Sequence, residues 1–180
     1  MISKNKILVC FLATIIITSA ISLRPLTTNA YTSYRLLNVT AQEQDTDSWC
    51  WAACTQMVCN YFGEYPSQGD IVTFIYDWPD PDEGGNVYEM SSALGHWGIH
   101  STTTLSSLSF STIVSQIENG EPMIASRSNH AEVIRGYYQN TEIGLYDVYY
   151  IDPWDASYNI FTYETYSSYW NGGSVYYIYV

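Results

Sequence analysis

The sequence predicts an α+β domain in which a helical lobe is followed by an antiparallel β-sheet lobe. Apolar residues recur at helical spacing between residues 49 and 76, and Gly and Pro separate shorter helical stretches up to residue 120. After Pro122 the chain becomes rich in Val, Ile and Tyr with partial alternation, and twelve of the eighteen tyrosines lie from Tyr137 to Tyr179. Tyrosine suits a half-buried strand face, since its ring packs while its hydroxyl stays in water.

The first helix is predicted at residues 49–62. Cysteine, methionine, valine and aromatic residues repeat there at helical spacing. Asp47 or Ser48 is expected to cap the start, and Gly63 is expected to end the helix.

A second helix is expected to open at Ser67 and to run to about Tyr76. Asp70 stands three residues after Ser67, where a capping-box partner belongs. Residues 77–86, DWPDPDEGGN, form a loop by their Pro, Asp and Gly content. The remaining predicted elements are helices at about 87–94 and at 111–119, the latter closed by Gly120, and strands at Met123–Arg127, Ala131–Tyr138, Leu145–Ile151 and Val175–Val180.

The N-terminus has the layout of a secretory signal peptide. Lys4 and Lys6 precede an apolar run at residues 7–21, and small residues follow at 28–30. We therefore expect a signal peptide at residues 1–30 and a secreted, extracellular mature domain at 31–180. An uncleaved N-terminal anchor is the alternative.

The expected mature chain is strongly acidic. Three arginines remain against eighteen acidic residues, a formal charge of −15. Such a charge repels nucleic acid and anionic membrane surfaces, so neither is an expected partner. About 150 residues are enough for one domain with its own core, and we expect a monomer.

Three cysteines lie within ten residues at C-x3-C-x4-C spacing: Cys50, Cys54 and Cys59. The spacing does not match a zinc site, and no histidine lies nearby in the sequence, so no metal or cofactor is expected. One predicted helix holds all three, which argues against a disulfide framework. These thiols serve either packing or chemistry.

Cys50 is the candidate nucleophile. A cysteine attacks as the thiolate, which the unpaired N–H groups and positive dipole end of a helix's first turn stabilise. Cys54 lies one turn deeper on the same face, and Cys59 lies near the C-terminal end, so both are expected to be core residues.

His130 is the candidate base, because it stands where a predicted sheet strand begins. His96 and His100 lie in a connecting stretch, GHWGIH, and are interpreted as loop or packing residues.

Two further roles have candidates. Asp152 stands at a strand end before proline and could orient the histidine, with Asp147 and Asp155 as lesser candidates. A side-chain amide just before the helix could hold a developing oxyanion together with the first-turn N–H, and Gln44 and Gln42 both qualify.

This ordered set of residues resembles papain-like cysteine peptidases. The stretches that carry the resemblance are QEQ at 42–44, WCWAA at 49–53, HAEVIRGY at 130–137 and YYIDPW at 149–154. It is nearest to compact bacterial members, in the neighbourhood of plant-pathogen effector proteases and double-glycine leader peptidases.

The resemblance implies a papain-like fold, with the active site in the cleft between the lobes, and hydrolysis of peptide bonds in a polypeptide substrate. It makes Cys50 the nucleophile, His130 the base, Asp152 the orienter and Gln44 the oxyanion donor, since the family spacing of six residues favours Gln44 over Gln42. The chain departs from plant-type papains, which carry C-G-[SA]-C-W and a more distant histidine, so their substrate preference does not carry over.

Three alternatives remain open at this stage. The same residues serve acyl transfer or the hydrolysis of non-peptide amides. An exported binding domain could keep the fold without turnover. Asp77, Asp80, Asp82 and Glu83 could be calcium ligands, although their order does not match an EF-hand and a solvated acidic loop is favoured.

Overall fold

The structure is a computed structural model that describes residues 30–78, 82–105, 109–127, 129–170 and 176–180. The predicted signal peptide lies outside the described residues except for Ala30. Five helices and seven strands are present in the described part of the chain. In order they are β1 (Thr32–Leu36), α1 (Cys50–Tyr61), α2 (Gln68–Tyr76), α3 (Val87–His96), β2 (Thr102–Leu105), α4 (Phe110–Asn119), β3 (Met123–Arg127), β4 (His130–Asn140), β5 (Leu145–Asp152), β6 (Ser157–Thr162), α5 (Tyr163–Trp170) and β7 (Tyr176–Tyr179).

The strands form one antiparallel sheet in the order β2-β7-β3-β4-β5-β6, and β1 also pairs with β4. β4 is the longest strand: its first half pairs with β3 and its second half with β1. Gly136 lies where β1 approaches, and a Cβ there would come within 2.6 Å of the Arg35 carbonyl oxygen. Glycine therefore permits the close approach of β1 to β4.

α1 is the central element of the helical lobe. It contacts β4 on one side and α2 and α3 on the other. Because it is enclosed in this way, eight of its twelve residues are buried: Trp51, Ala52, Ala53, Cys54, Thr55, Met57, Val58 and Cys59. A helix packed from several sides is held in position at its first turn as well as at its middle.

The predicted helices are confirmed with small shifts in their ends. Ser67 and Asp70 form the expected capping box at α2, and Gly120 ends α4 in the left-handed conformation. In the predicted loop at 77–86, the structure does not describe residues 79–81. The other residues of this loop belong to no helix or strand.

Gly63 follows the end of α1 in the left-handed conformation, as predicted, but the predicted N-cap of α1 is wrong. Its N-cap is Trp49, and neither Asp47 nor Ser48, both described, caps the helix with its side chain. The reason is tertiary: Asp82 accepts hydrogen bonds from the Ser48 N–H and the Thr46 hydroxyl at 3.0 and 2.7 Å. A distant carboxylate thus fixes the turn before the helix in place of a local cap.

The predicted strands are confirmed, and four elements are additional: β1, β2, β6 and α5. β1 and β2 come from the first part of the chain but pair in the sheet, so the sheet draws on both halves of the sequence. In the described ranges, no helix has the length and apolar character needed to cross a membrane.

Candidate active site

Cys50 is the first residue of α1 and is partly exposed, whereas Cys54 and Cys59 have no exposed surface. The first N–H groups of a helix have no acceptor within the helix. Since the described side chains provide no cap at Trp49, those groups remain available to a negative charge beside the Cys50 sulfur. The packed helix therefore presents one thiol at its electropositive end.

His130 and Asp152 are brought together by strand pairing. His130 begins β4 and Asp152 ends β5, and these strands run antiparallel side by side. The His130 Nε2 lies 2.9 Å from the Asp152 Oδ1. The imidazole also lines the cleft beside Cys50, whose side chain contributes to raising the pKa of His130. With Nε2 on Asp152, the other ring nitrogen, Nδ1, is the one left for the sulfur.

The electrostatics favour a charged imidazole. Burial alone lowers the pKa of His130, but the hydrogen bonds to Asp152 and Cys50 outweigh it and raise the pKa from 6.5 to about 10. For Asp152, burial raises the pKa, yet the hydrogen bonds from His130 and from the Trp154 N–H hold it below its usual value. The imidazolium interaction therefore stabilises the fold fully below about pH 6.5, and that stabilisation is lost as the pH rises through about 10.

The other candidate acids lie elsewhere. Asp147 is in the first half of β5, five residues from Asp152, so its side chain lies on the opposite face of the strand. Asp155 accepts a hydrogen bond from the Ser157 N–H in the following turn. His96 stacks on Phe74 with ring centroids 4.1 Å apart, which agrees with a packing role.

Gln44 lies in the segment that leads into α1. Its amide nitrogen donates to the carbonyl oxygens of Thr46 and Asp47 at 2.8 and 2.9 Å, so both of its hydrogens are used locally. Its Oε1 is buried and has no hydrogen-bond partner in the described part of the chain. The Gln44 N–H donates to the Pro153 carbonyl oxygen at 2.8 Å, which ties this segment to the residue after Asp152.

The sequence analysis missed a second carboxylate at the histidine. Glu132 is 2% exposed, and its Oε1 lies 4.0 Å from the His130 Nε2. Residues 130 and 132 share one face of β4, and this spacing in a strand was the available signal. His130, Glu132 and Asp152 bring potential metal ligands within 4.8 Å of one another. The hydrogen bond from His130 to Asp152 uses the same nitrogen, which favours proton handling over metal binding at this group.

The cleft beside Cys50 has a volume of about 250 Å³. One wall comes from α1 and the loop residues Gly84 and Gly85, and the other comes from the β3–β4 hairpin, including Arg127 and His130. A Cβ on Gly85 would come within 2.2 Å of the Trp51 ring, so this wall requires glycine. The acidic loop helps to build the cleft, since Asp82 holds the segment before α1; Asp80, another candidate calcium ligand, lies outside the described residues.

Comparison with solved structures supports a papain-like fold. UfSP from C. elegans superposes with a TM-score of 0.60 at 16% identity, over 82% of this chain and 34% of that one. The peptidase domain of Streptococcus ComA, a bi-functional ABC transporter involved in quorum sensing, superposes with a TM-score of 0.57 at 15% identity, over 78% of this chain and 96% of that one. This chain thus spans about a third of the UfSP chain.

A family model, described as the Peptidase_C39 like family, matches residues 36–176. No curated protein matches the chain. The matched residues contain the cleft, both of its walls and all the strands except β1 and β7, which they enter only in part. Because the match covers most of the chain, this protein belongs to the Peptidase_C39 like family and is a papain-like cysteine peptidase.

Proposed function

We propose that the protein hydrolyses peptide bonds through a Cys50–His130–Asp152 triad. The observation that carries the proposal is that Cys50, the first residue of α1, and His130 line the same cleft, with the His130 Nε2 2.9 Å from the Asp152 carboxylate. The Cys50 thiolate attacks the substrate carbonyl carbon. His130 then protonates the departing amine, and water hydrolyses the acyl-enzyme with His130 as base.

In the same proposal Asp152 orients the imidazole, and the charge stays on the carboxylate throughout. The oxyanion is held by the Cys50 N–H at the helix start and by the Gln44 amide. Since both hydrogens of that amide donate to Thr46 and Asp47, we propose that the oxyanion replaces one of these acceptors in the transition state.

All four proposed groups come from one chain, so we propose that a monomer is active and that the substrate is a polypeptide. No metal, cofactor or nucleic acid takes part in the proposed reaction. The mixture of Asp47, Arg127 and Asn129 along the cleft provides partners for the polar backbone of an extended substrate.

The role of Asp152 provides the test of this function. We expect Asp152→Ala to lower kcat on a denatured polypeptide substrate by about 10²- to 10⁴-fold, because the imidazole loses its orienting partner. Asp147→Ala is the matched control: it removes a carboxylate from the same strand but from the other face, so activity should remain. Equal losses in the two variants, with both proteins folded, would contradict the triad.

We also propose that residues 1–30 are removed during secretion from a bacterial cell, leaving a mature chain that begins at Tyr31. The support is the sequence layout of Lys4, Lys6 and the apolar run. The intact mass of protein recovered from culture medium should correspond to residues 31–180. A secreted species that retains Lys4 to Arg24 would overturn this proposal.

A further inference from the structure

Residues 43–48, which we call the strap, carry Gln44 and lead into α1. The strap has no helix or strand of its own. Its position must therefore come from contacts with other elements, and those contacts determine where the Gln44 amide stands relative to Cys50.

One residue of α2 holds the strap on both sides of Gln44. The Gln68 Nε2 donates to the Glu43 carbonyl oxygen at 2.7 Å, and the Gln68 Oε1 accepts from the Asp45 N–H at 3.0 Å. The side-chain amide thus pairs with the strap backbone as a neighbouring strand would, and residue 44 is the residue enclosed between the two bonds.

Gln68 is only 3% exposed, and the nitrogen and oxygen of its side-chain amide are both hydrogen-bonded. Its second N–H donates to the Gln56 Oε1 at 3.2 Å, and the Gln56 amide in turn donates to the Pro66 carbonyl oxygen at 3.0 Å. These bonds attach the amide to α1 and to the start of α2. A buried amide with its hydrogens satisfied is held in one orientation, which makes it a rigid support.

We infer that Gln68 is a positioning residue that sets the strap, and with it the Gln44 amide, against the first turn of α1. This inference rests on the proposed oxyanion role of Gln44. Gln68 does not line the cleft and is not a member of the proposed triad, so it acts on the reaction through the strap. On the far side the Gln44 N–H bonds to the Pro153 carbonyl oxygen, so the strap is held between the helical lobe and the end of β5.

The expected effect is on turnover. Gln68→Met keeps the length of the side chain but removes both bonds to the strap, so kcat for peptide hydrolysis should fall by about 10- to 10²-fold while KM changes little. The rate of Cys50 alkylation by iodoacetamide should stay the same, because alkylation needs the thiolate but develops no oxyanion. Gln68→Glu, which can accept from Asp45 but cannot donate to Glu43, should show the same pattern.

Gln139→Met is the matched control. Gln139 is also a buried glutamine, at 7% exposure, and its amide donates to the Ser33 Oγ at 2.8 Å on the sheet, away from the strap. This variant should lose comparable stability and keep its kcat. Gln44→Ala should lower kcat by about 10²- to 10³-fold, whereas Gln42→Ala should not.

Measurements in the Gln44→Ala variant distinguish the oxyanion role of Gln44 from the positioning role of Gln68. If Gln68 acts through Gln44, adding Gln68→Met to Gln44→Ala should cost little more. A normal kcat in Gln44→Ala overturns the oxyanion role of Gln44, and the inference with it. A large loss in Gln44→Ala beside a normal kcat in folded Gln68→Met and Gln68→Glu overturns the inference alone. So does a Gln68 loss that is fully additive with Gln44→Ala, or one matched by an equal loss in alkylation rate.

Discussion

Replacing Cys50 by alanine is expected to abolish peptide hydrolysis, lowering kcat by about 10⁶-fold, with the fold intact. The thiolate has no substitute, because Cys54 and Cys59 have no exposed surface from which to attack. Alanine is the best helix former, and the partly exposed Cys50 side chain contributes less packing than a buried one. The measurements are kcat on a denatured polypeptide and the midpoint of thermal unfolding.

Cys54→Ala is the matched control for this prediction. Cys54 lies one turn along the same helix and is fully buried. Its loss should lower the free energy of unfolding by about 1 kcal/mol and leave hydrolysis in place. A Cys50→Ala protein that cleaves at the normal rate would show that this thiol is not the nucleophile.

Local signals in the sequence were enough to predict most helices and the central strands. Ser67 and Asp70 bond to each other across one turn, so their pattern alone predicts where α2 begins. Gly120 likewise ends α4 through its own backbone conformation. β3, β4 and β5 follow each other closely in the chain and pair with their neighbours, so composition and turn residues were sufficient for them.

The missed elements depend on distant partners. β1 is a strand because it pairs with β4, more than a hundred residues later at its first register position, Thr32 opposite Asn140. β2 is four residues long and pairs with β7, which follows it by about 70 residues. Neither segment is strongly patterned on its own, so the partner determines its structure.

The same distinction applies to the site. Cys50, His130 and Asp152 could be chosen from the sequence because each stands at the end of a predictable element. Cys50 and His130 line the cleft, and Asp152 bonds to His130. The supports Gln68 and Asp82 could not be chosen, since the bonds of Gln68 to the strap span 23 and 25 residues and those of Asp82 span 34 and 36. Gln68 bonds to backbone atoms of the strap, and Asp82 bonds to the Ser48 N–H and the Thr46 hydroxyl. No side-chain pattern in the sequence indicates these pairings.

The charge state of His130 links these elements to reactivity. The His130 imidazole, hydrogen-bonded to Asp152 and lining the cleft beside Cys50, has its pKa raised to about 10, so it carries a positive charge near neutral pH. The other two thiols are held protonated. Burial raises the pKa of Cys54 well above its usual value, and burial with the nearby Glu64 carboxylate raises that of Cys59 to about 12.

His130 should therefore determine which thiol reacts. Brief exposure of the native protein to iodoacetamide at about pH 6 should label Cys50 almost alone, leaving Cys54 and Cys59 unmodified.

In His130→Ala the labelling rate should fall about tenfold or more, and kcat should fall by a factor similar to that of Cys50→Ala, because nucleophile and base act as one unit. His96→Ala removes a histidine that packs on the helical lobe and should change neither quantity. The labelling advantage of the wild type over His130→Ala should persist through neutral pH and shrink as the pH approaches about 10, where the imidazolium loses its proton. Equal labelling of all three thiols in folded protein, or labelling of Cys50 that does not depend on His130, would mean that the helix is a packing element without an activated nucleophile.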